Sequence, residues 1–281
     1  MGFAHKLLDI IPSAIVSRAF GVIADHPFPT PIQNVVNKTY ARLARLDMSE
    51  SRLQTSECRS LNELFTRPLK EHARDIAGDD LVSPVDGTLS FCGRICEGTL
   101  LEAKGQMYDV EKLAATKDKE LTSWMTDAYA FTIYLSPSNY HRIHAPMTGS
   151  VTHLSYAPGR LLPVNRLGYL IADDLLPANE RLTSFITGEN GKRCALVKVG
   201  ATCVGKISLQ YDEFKSNQTL FKTPITKKLS TPWQISSGEQ IACFELGSTI
   251  VLLVESKDFV PNSELFIGQA IRLGMPLGNW E

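Results

Sequence analysis

The chain has 281 residues, 43% of them hydrophobic and 21% charged, which suits one large domain, or one domain with a helical appendage, around a buried core. Its 29 basic and 30 acidic side chains leave a formal charge of −1, and that balance argues against a nucleic-acid partner. No stretch of about 18 uninterrupted apolar residues occurs, so no helix is expected to cross a bilayer.

The N-terminal apolar stretch is broken by Asp9, Pro12, Ser13, Ser17 and Arg18 and does not read as a secretory signal. Leu7, Leu8, Ile11, Ala14, Ile15, Ala19, Val22 and Ile23 instead fall at helical spacing. They describe an amphipathic helix lying on a membrane surface or packed on its own domain. This helix should stop near Asp25-His26-Pro27, because Pro27, Pro29 and Pro31 forbid its continuation. A second helix is expected from about Pro31 to Leu46. A third opens at Ser60 with Glu63 three residues on, a capping-box pattern.

From about Leu81 the pattern changes to short apolar runs separated by Gly, Pro and Asp: Thr88–Gly93, Ala128–Leu135, Gly149–Tyr156, Arg193–Gly200, Thr202–Leu209, Gln240–Phe244 and Thr249–Val254. A helix is expected within 112–128. The fold class is therefore α+β, with N-terminal amphipathic helices (1–75) followed by a β-rich barrel or sandwich body (76–281). The six cysteines show no framework spacing and suit reduced thiols in a cytosolic protein. Cys92 and Cys96 lack a second Cys or His pair, so zinc is not expected there.

Leu246-Gly247-Ser248-Thr249, followed by Ile250-Val251-Leu252-Leu253-Val254, places a serine at the mouth of a buried strand. A serine hydroxyl is a weak nucleophile near neutral pH and needs an oriented base. His144, in Tyr140-His141-Arg142-Ile143-His144, can supply the base, and Asp86, in Ser83-Pro84-Val85-Asp86-Gly87, can hold its ring. Gly247 offers a carbonyl without a side chain to obstruct attack. Each piece alone is ordinary turn chemistry. His141, His144 and Asp86 also compose a conceivable zinc-hydrolase ligand set, although Pro137 and Pro146 disfavour a helical metalloprotease motif.

In wording and order these segments resemble the bacterial-type, pyruvoyl-dependent phosphatidylserine decarboxylase proenzymes. The likeness runs from about residue 40 onward. It includes Asn62-Glu63-Leu64-Phe65-Thr66-Arg67-Pro68-Leu69, Ala103-Lys104-Gly105 with Tyr108, Leu135-Ser136-Pro137, Pro158-Gly159-Arg160-Leu161, Asn179-Glu180-Arg181 and Val199-Gly200-Ala201-Thr202. Val85 stands where the family more often has Ala, and 215–232 departs from the family pattern.

The resemblance implies self-cleavage between Gly247 and Ser248 into a β chain (1–247) and an α chain (248–281), with Asp86, His144 and Ser248 as the charge relay. It implies that Ser248 becomes a covalent pyruvoyl group, which holds the substrate amine as a Schiff base while CO₂ leaves. It places His141 on proton transfer in decarboxylation; the residues alone do not separate the two histidine roles. Phosphatidylserine as substrate, phosphatidylethanolamine as product, a homodimer of processed units and peripheral attachment to the cytoplasmic face of the cell membrane follow from the same resemblance. The rival classes are a zinc hydrolase, a lipoyl-like binding module and a pyruvoyl enzyme for another amine. No Lys flanked by Met or Ala in a hairpin turn stands out to support the second of these.

Overall fold

The computed structural model describes residues 13–101, 106–164, 168–169, 172, 174–202, 206–217, 223–245 and 248–281. The expected turns of helix before Ser13, the Ala103-Lys104-Gly105 motif and the Leu246-Gly247 link lie outside the described residues. The described residues open with two helices, α1 (Ser13–Asp25) and α2 (Thr30–Leu43). Pro29 caps α2 and Pro31 stands in its first turn, where a missing N–H leaves no hydrogen bond unmade. α3 (Leu61–Phe65) begins at Ser60, whose side chain accepts from the Glu63 N–H at 3.1 Å. Glu63 reaches back one residue further than a strict capping box, to the Arg59 N–H at 2.6 Å.

The strand-rich body follows, with β1 (Leu81–Val82), β2 (Gly87–Arg94), β3 (Thr99–Leu101) and β4 (Met107–Asp109). The helix expected within 112–128 is several short pieces: α4 (Val110–Ala114), α5 (Lys119–Thr122) and a 3₁₀ turn. Then come β5 (Tyr129–Leu135), β6 (Arg142–His144), β7 (Gly149–Ala157), α6 (Leu175–Ala178), β8 (Arg181–Gly188), β9 (Arg193–Val199) and β10 (Lys206–Leu209). β11 (Ile225–Ile235), β12 (Gln240–Glu245), β13 (Ser248–Val254), β14 (Phe259–Pro261), β15 (Ala270–Ile271) and β16 (Pro276–Trp280) complete the chain.

Eight strands form one antiparallel sheet in the order β11-β7-β8-β9-β13-β5-β2-β15. A second sheet has the order β10-β12-β6 and a third β1-β16-β14. Among the described residues the sheets do not close into a barrel, so the body is an open, layered arrangement. β13 is buried on both faces, which explains its unbroken apolar run. Ile250, Leu252 and Val254 join one core with Phe131, Ile133 and Leu196, while Val251 and Leu253 join a second with Val197, Phe185 and Leu175. Ala24 and Phe65 belong to that second core, with Phe20 and Tyr40 packed against it, so the helices share their packing with the strands.

α2 is inside out. It buries Gln33 and Asn37, joined at 2.8 Å, with the Asn37 amide donating to the Thr55 and Cys58 carbonyls. Its apolar Val35 is 65% and Leu43 78% exposed, and on α1 Val22 is 71% exposed.

Candidate active site

The expected cleavage point lies where the chain passes from one sheet to another. β12 belongs to the three-stranded sheet and ends at Glu245; β13, in the middle of the eight-stranded sheet, begins at Ser248. Ser248 opens β13 opposite Leu135, and Thr249 pairs with both Tyr134 and Val199. The strand is thus held on both sides from its first residues.

Two other segments converge on this corner. Beyond Leu135 the chain makes a β-turn closed by the Asn139 N–H donating to the Ser136 carbonyl at 3.0 Å, and the Asn139 side chain accepts in return from the Ser136 N–H at 2.8 Å. The turn returns the chain to Phe244, whose N–H donates to the His141 carbonyl at 3.0 Å. The His loop therefore spans the same gap as the link between β12 and β13. His144 follows in β6, opposite Gln240. β6 pairs with β12 as a short strand because its extended, proline-bounded backbone matches that ladder. The third segment is the Asp86 turn. Thr88 pairs with Tyr134 across β2 and β5, and the His144 N–H donates to the Pro84 carbonyl at 2.9 Å.

The charges and protons are arranged differently from the expected relay. Asp86, nearly buried, is gripped by Arg74, with Nε donating to Oδ1 at 3.0 Å and Nη2 to Oδ2, and by the Leu273 N–H at 2.9 Å. No hydrogen bond joins it to His144. The ring of His144 is oriented by the Gly238 carbonyl, 2.7 Å from Nδ1. A carbonyl only accepts, so Nδ1 carries the proton and Nε2 accepts from the Tyr140 hydroxyl at 3.0 Å. Burial lowers the His144 pKa to about 4, against the pull of the Gly238 carbonyl. Asp86 acts on His144 through its field alone.

His141 is fully buried and stacks on Phe65 with ring centroids 3.9 Å apart. Phe65 in turn meets Tyr40 of α2 edge-on at 6.4 Å. Neither ring nitrogen of His141 makes a hydrogen bond of good geometry, but the Ser136 and Pro137 backbone lies close enough to draw its pKa upward. Burial, then the charge of Arg67, push its pKa down to about 3. Thr249 Oγ1 is also buried and unpartnered. Among the described residues no group of three or more His, Cys, Asp or Glu side chains gathers as a metal site.

The structure brings the Asp86 turn, the His loop and the start of β13 to one corner. It adds Arg74, Tyr140, Phe65 and the Gly238 carbonyl. Tyr140 and Phe65 lie in motifs visible in the sequence; nothing in local spacing ties Arg74 or Gly238 to their partners.

Comparison with known proteins identifies the family. A family model for phosphatidylserine decarboxylase matches residues 61–279. The chain belongs to the phosphatidylserine decarboxylase family. Among curated relatives, the phosphatidylserine decarboxylase proenzyme of Brevibacillus brevis is 38% identical over 98% of this chain and 96% of its own length. The proenzymes of Myxococcus xanthus (34%; 97% of this chain and 96% of its own length) and Anaeromyxobacter sp. (35%; 96% of each) are similar over the same span. The family match includes the Asp86 turn, both histidines, Gly247 and Ser248.

Proposed function

We propose that the chain cuts itself between Gly247 and Ser248 and that the processed enzyme decarboxylates phosphatidylserine to phosphatidylethanolamine at a membrane surface. The observation that carries this reading is the sheet-to-sheet corner, where Ser248 opens a doubly paired strand flanked by the Asp86 turn and the His loop.

In the cleavage step, neutral His144 takes the Ser248 proton on Nε2 after its hydrogen bond from Tyr140 gives way. The field of Asp86 stabilises the resulting imidazolium. Ser248 Oγ attacks the Gly247 carbonyl carbon, and the acyl group moves from nitrogen to oxygen to give an ester. Elimination breaks the Ser248 Cβ–O bond, leaving a carboxylate on Gly247 and a dehydroalanine at 248. That residue adds one water and loses ammonia, yielding a pyruvoyl terminus.

An orphaned buried hydroxyl near the corner, Thr249 Oγ1, fits a new carbonyl group there, and the poorly partnered His141 ring fits a bound substrate. The pyruvoyl group supplies an electron sink for loss of CO₂. His141 delivers a proton to the substrate α-carbon; an anionic headgroup against the ring offsets its desolvation and favours the charged, proton-carrying form. Phe65 fixes the plane of the imidazole.

The fragments are expected to stay together. The α chain would contribute β13, paired with β5 and β9, together with β15 on β2 and β16 on β1. The exposed Val22, Ile23, Ile32 and Val35 on α1 and α2 form the membrane-facing surface, since both helices turn apolar side chains outward and α2 buries Gln33 and Asn37 instead. Homodimerisation of the processed unit is part of the same reading.

The test is a denaturing gel with intact masses, alongside CO₂ release from phosphatidylserine vesicles. Two fragments should sum to the precursor plus about 1 Da, whereas ordinary hydrolysis adds about 18 Da. The Ser248→Ala chain should remain whole and inactive. A sum of precursor plus about 18 Da with a sequenceable Ser-Thr-Ile-Val terminus would overturn the pyruvoyl mechanism.

A further inference from the structure

Beside the corner lies a cavity of about 170 Å³ between the Asp86 turn and the His loop, lined by Arg67, Arg74, Asp86 and Tyr140 among others. Arg67 is only 3% exposed, and its Nη2 donates to the Ser138 carbonyl at 3.2 Å. Its Nε and Nη1 have no partner among the described residues. An arginine does not shed its proton to escape this position, and an unmatched buried charge is costly.

The carboxylates around the cavity are already engaged. Asp86 is held by Arg74 and the Leu273 N–H, Glu50 by Arg74 and Arg272, and Asp47 by Ser49. Arg67 is therefore the uncommitted cation among the described lining residues. It is also close enough for its charge to act on His141.

We propose that Arg67 binds the phosphodiester of the serine phospholipid headgroup and so holds the substrate in the cavity. This rests on the decarboxylase reading above. A planar guanidinium with free N–H groups matches a phosphate in charge and geometry. The cavity is smaller than the roughly 300–1,000 Å³ of sites that enclose drug-sized ligands. It takes the headgroup and leaves the acyl chains outside.

The substrate carboxylate is the poorer partner. Its charge disperses as CO₂ leaves, so an ion pair there would stabilise the ground state more than the transition state. The phosphodiester is unchanged by the reaction, and binding it appears in KM rather than in kcat.

The experiment compares processed wild type with Arg67→Gln and Arg67→Lys, using dihexanoyl phosphatidylserine as substrate and inorganic phosphate as competitor. Cleavage on a denaturing gel is followed in parallel. Loss of a charged hydrogen-bonding partner predicts a KM for Arg67→Gln about ten- to a hundred-fold higher. Its kcat should stay within about three-fold of wild type. Arg67→Lys should recover part of the KM. Inorganic phosphate should compete with substrate in wild type and lose that effect in Arg67→Gln.

An active, cleaved Arg67→Gln with unchanged KM overturns the proposal. So does a fall in kcat at constant KM, which would assign Arg67 to an interaction made only in the transition state. If neither variant folds, the wild-type competition still decides, because absence of inhibition by inorganic phosphate refutes the site. A wild type that neither cuts nor releases CO₂ overturns the decarboxylase reading itself, and this inference with it.

Discussion

Acid should destabilise this protein through the buried His141 and the half-buried His144. An unfolded histidine titrates near 6.5, whereas in the fold burial lowers His144 to about 4 and His141 to about 3. Both folded values are depressed, so between them and 6.5 the unfolded chain binds more protons. The stability gained from keeping the rings neutral is complete above 6.5 and drains away as pH falls toward the folded values. At pH 5 the unfolded rings are almost fully charged and the native ones almost fully neutral. The linkage comes to about 2 kcal/mol per histidine between pH 7 and pH 5. Two such losses are a large share of the roughly 5–15 kcal/mol typical of a folded domain.

Urea melts of the uncut Ser248→Ala chain at pH 7 and pH 5 measure this within a single polypeptide. Placing His141→Gln or His144→Gln on that background should each remove about half of the histidine-dependent difference. If both variants keep the parent's full pH dependence, the native rings are not held neutral, and His144 loses its standing as a base ready to accept a proton.

Arg74→Leu should cost about 3–5 kcal/mol in urea melts, because it leaves the Asp86 carboxylate nearly buried with only the Leu273 N–H among its described partners. The double change with Asp86→Leu should recover part of this, and a single variant as stable as wild type refutes the clamp. His144→Ala and Asp86→Ala should stay uncut on a denaturing gel, while His141→Ala should cut at least partly and release CO₂ poorly. A wholly uncut His141→Ala removes the division of labour between the histidines. Val22→Glu with Val35→Glu should weaken sedimentation with anionic vesicles without changing self-cleavage; unchanged sedimentation would assign that exposed face to something other than a membrane.

Much of the architecture was legible in the chain itself, because local rules decide it. Pro27, Pro29 and Pro31 end one helix and begin another through fixed φ and a missing N–H, and Ser60 caps α3 with its own hydroxyl. Ile250 to Val254 reads as a strand buried on both faces, since no polar residue interrupts it. The Asp86, His and Ser248 segments were recognisable by wording and order.

What tertiary structure decided is which of those groups meet. Amphipathic spacing shows that α2 has two faces but not which one points inward. Asn37 turns inward because the Thr55 and Cys58 carbonyls wait there. Asp86 pairs with Arg74 rather than His144, and His144 takes its tautomer from Gly238, 94 residues away. Arg67 is left with unmatched N–H groups in the packed interior. Charge pairing and desolvation depend on distances across the fold, and residue spacing along the chain does not carry that information.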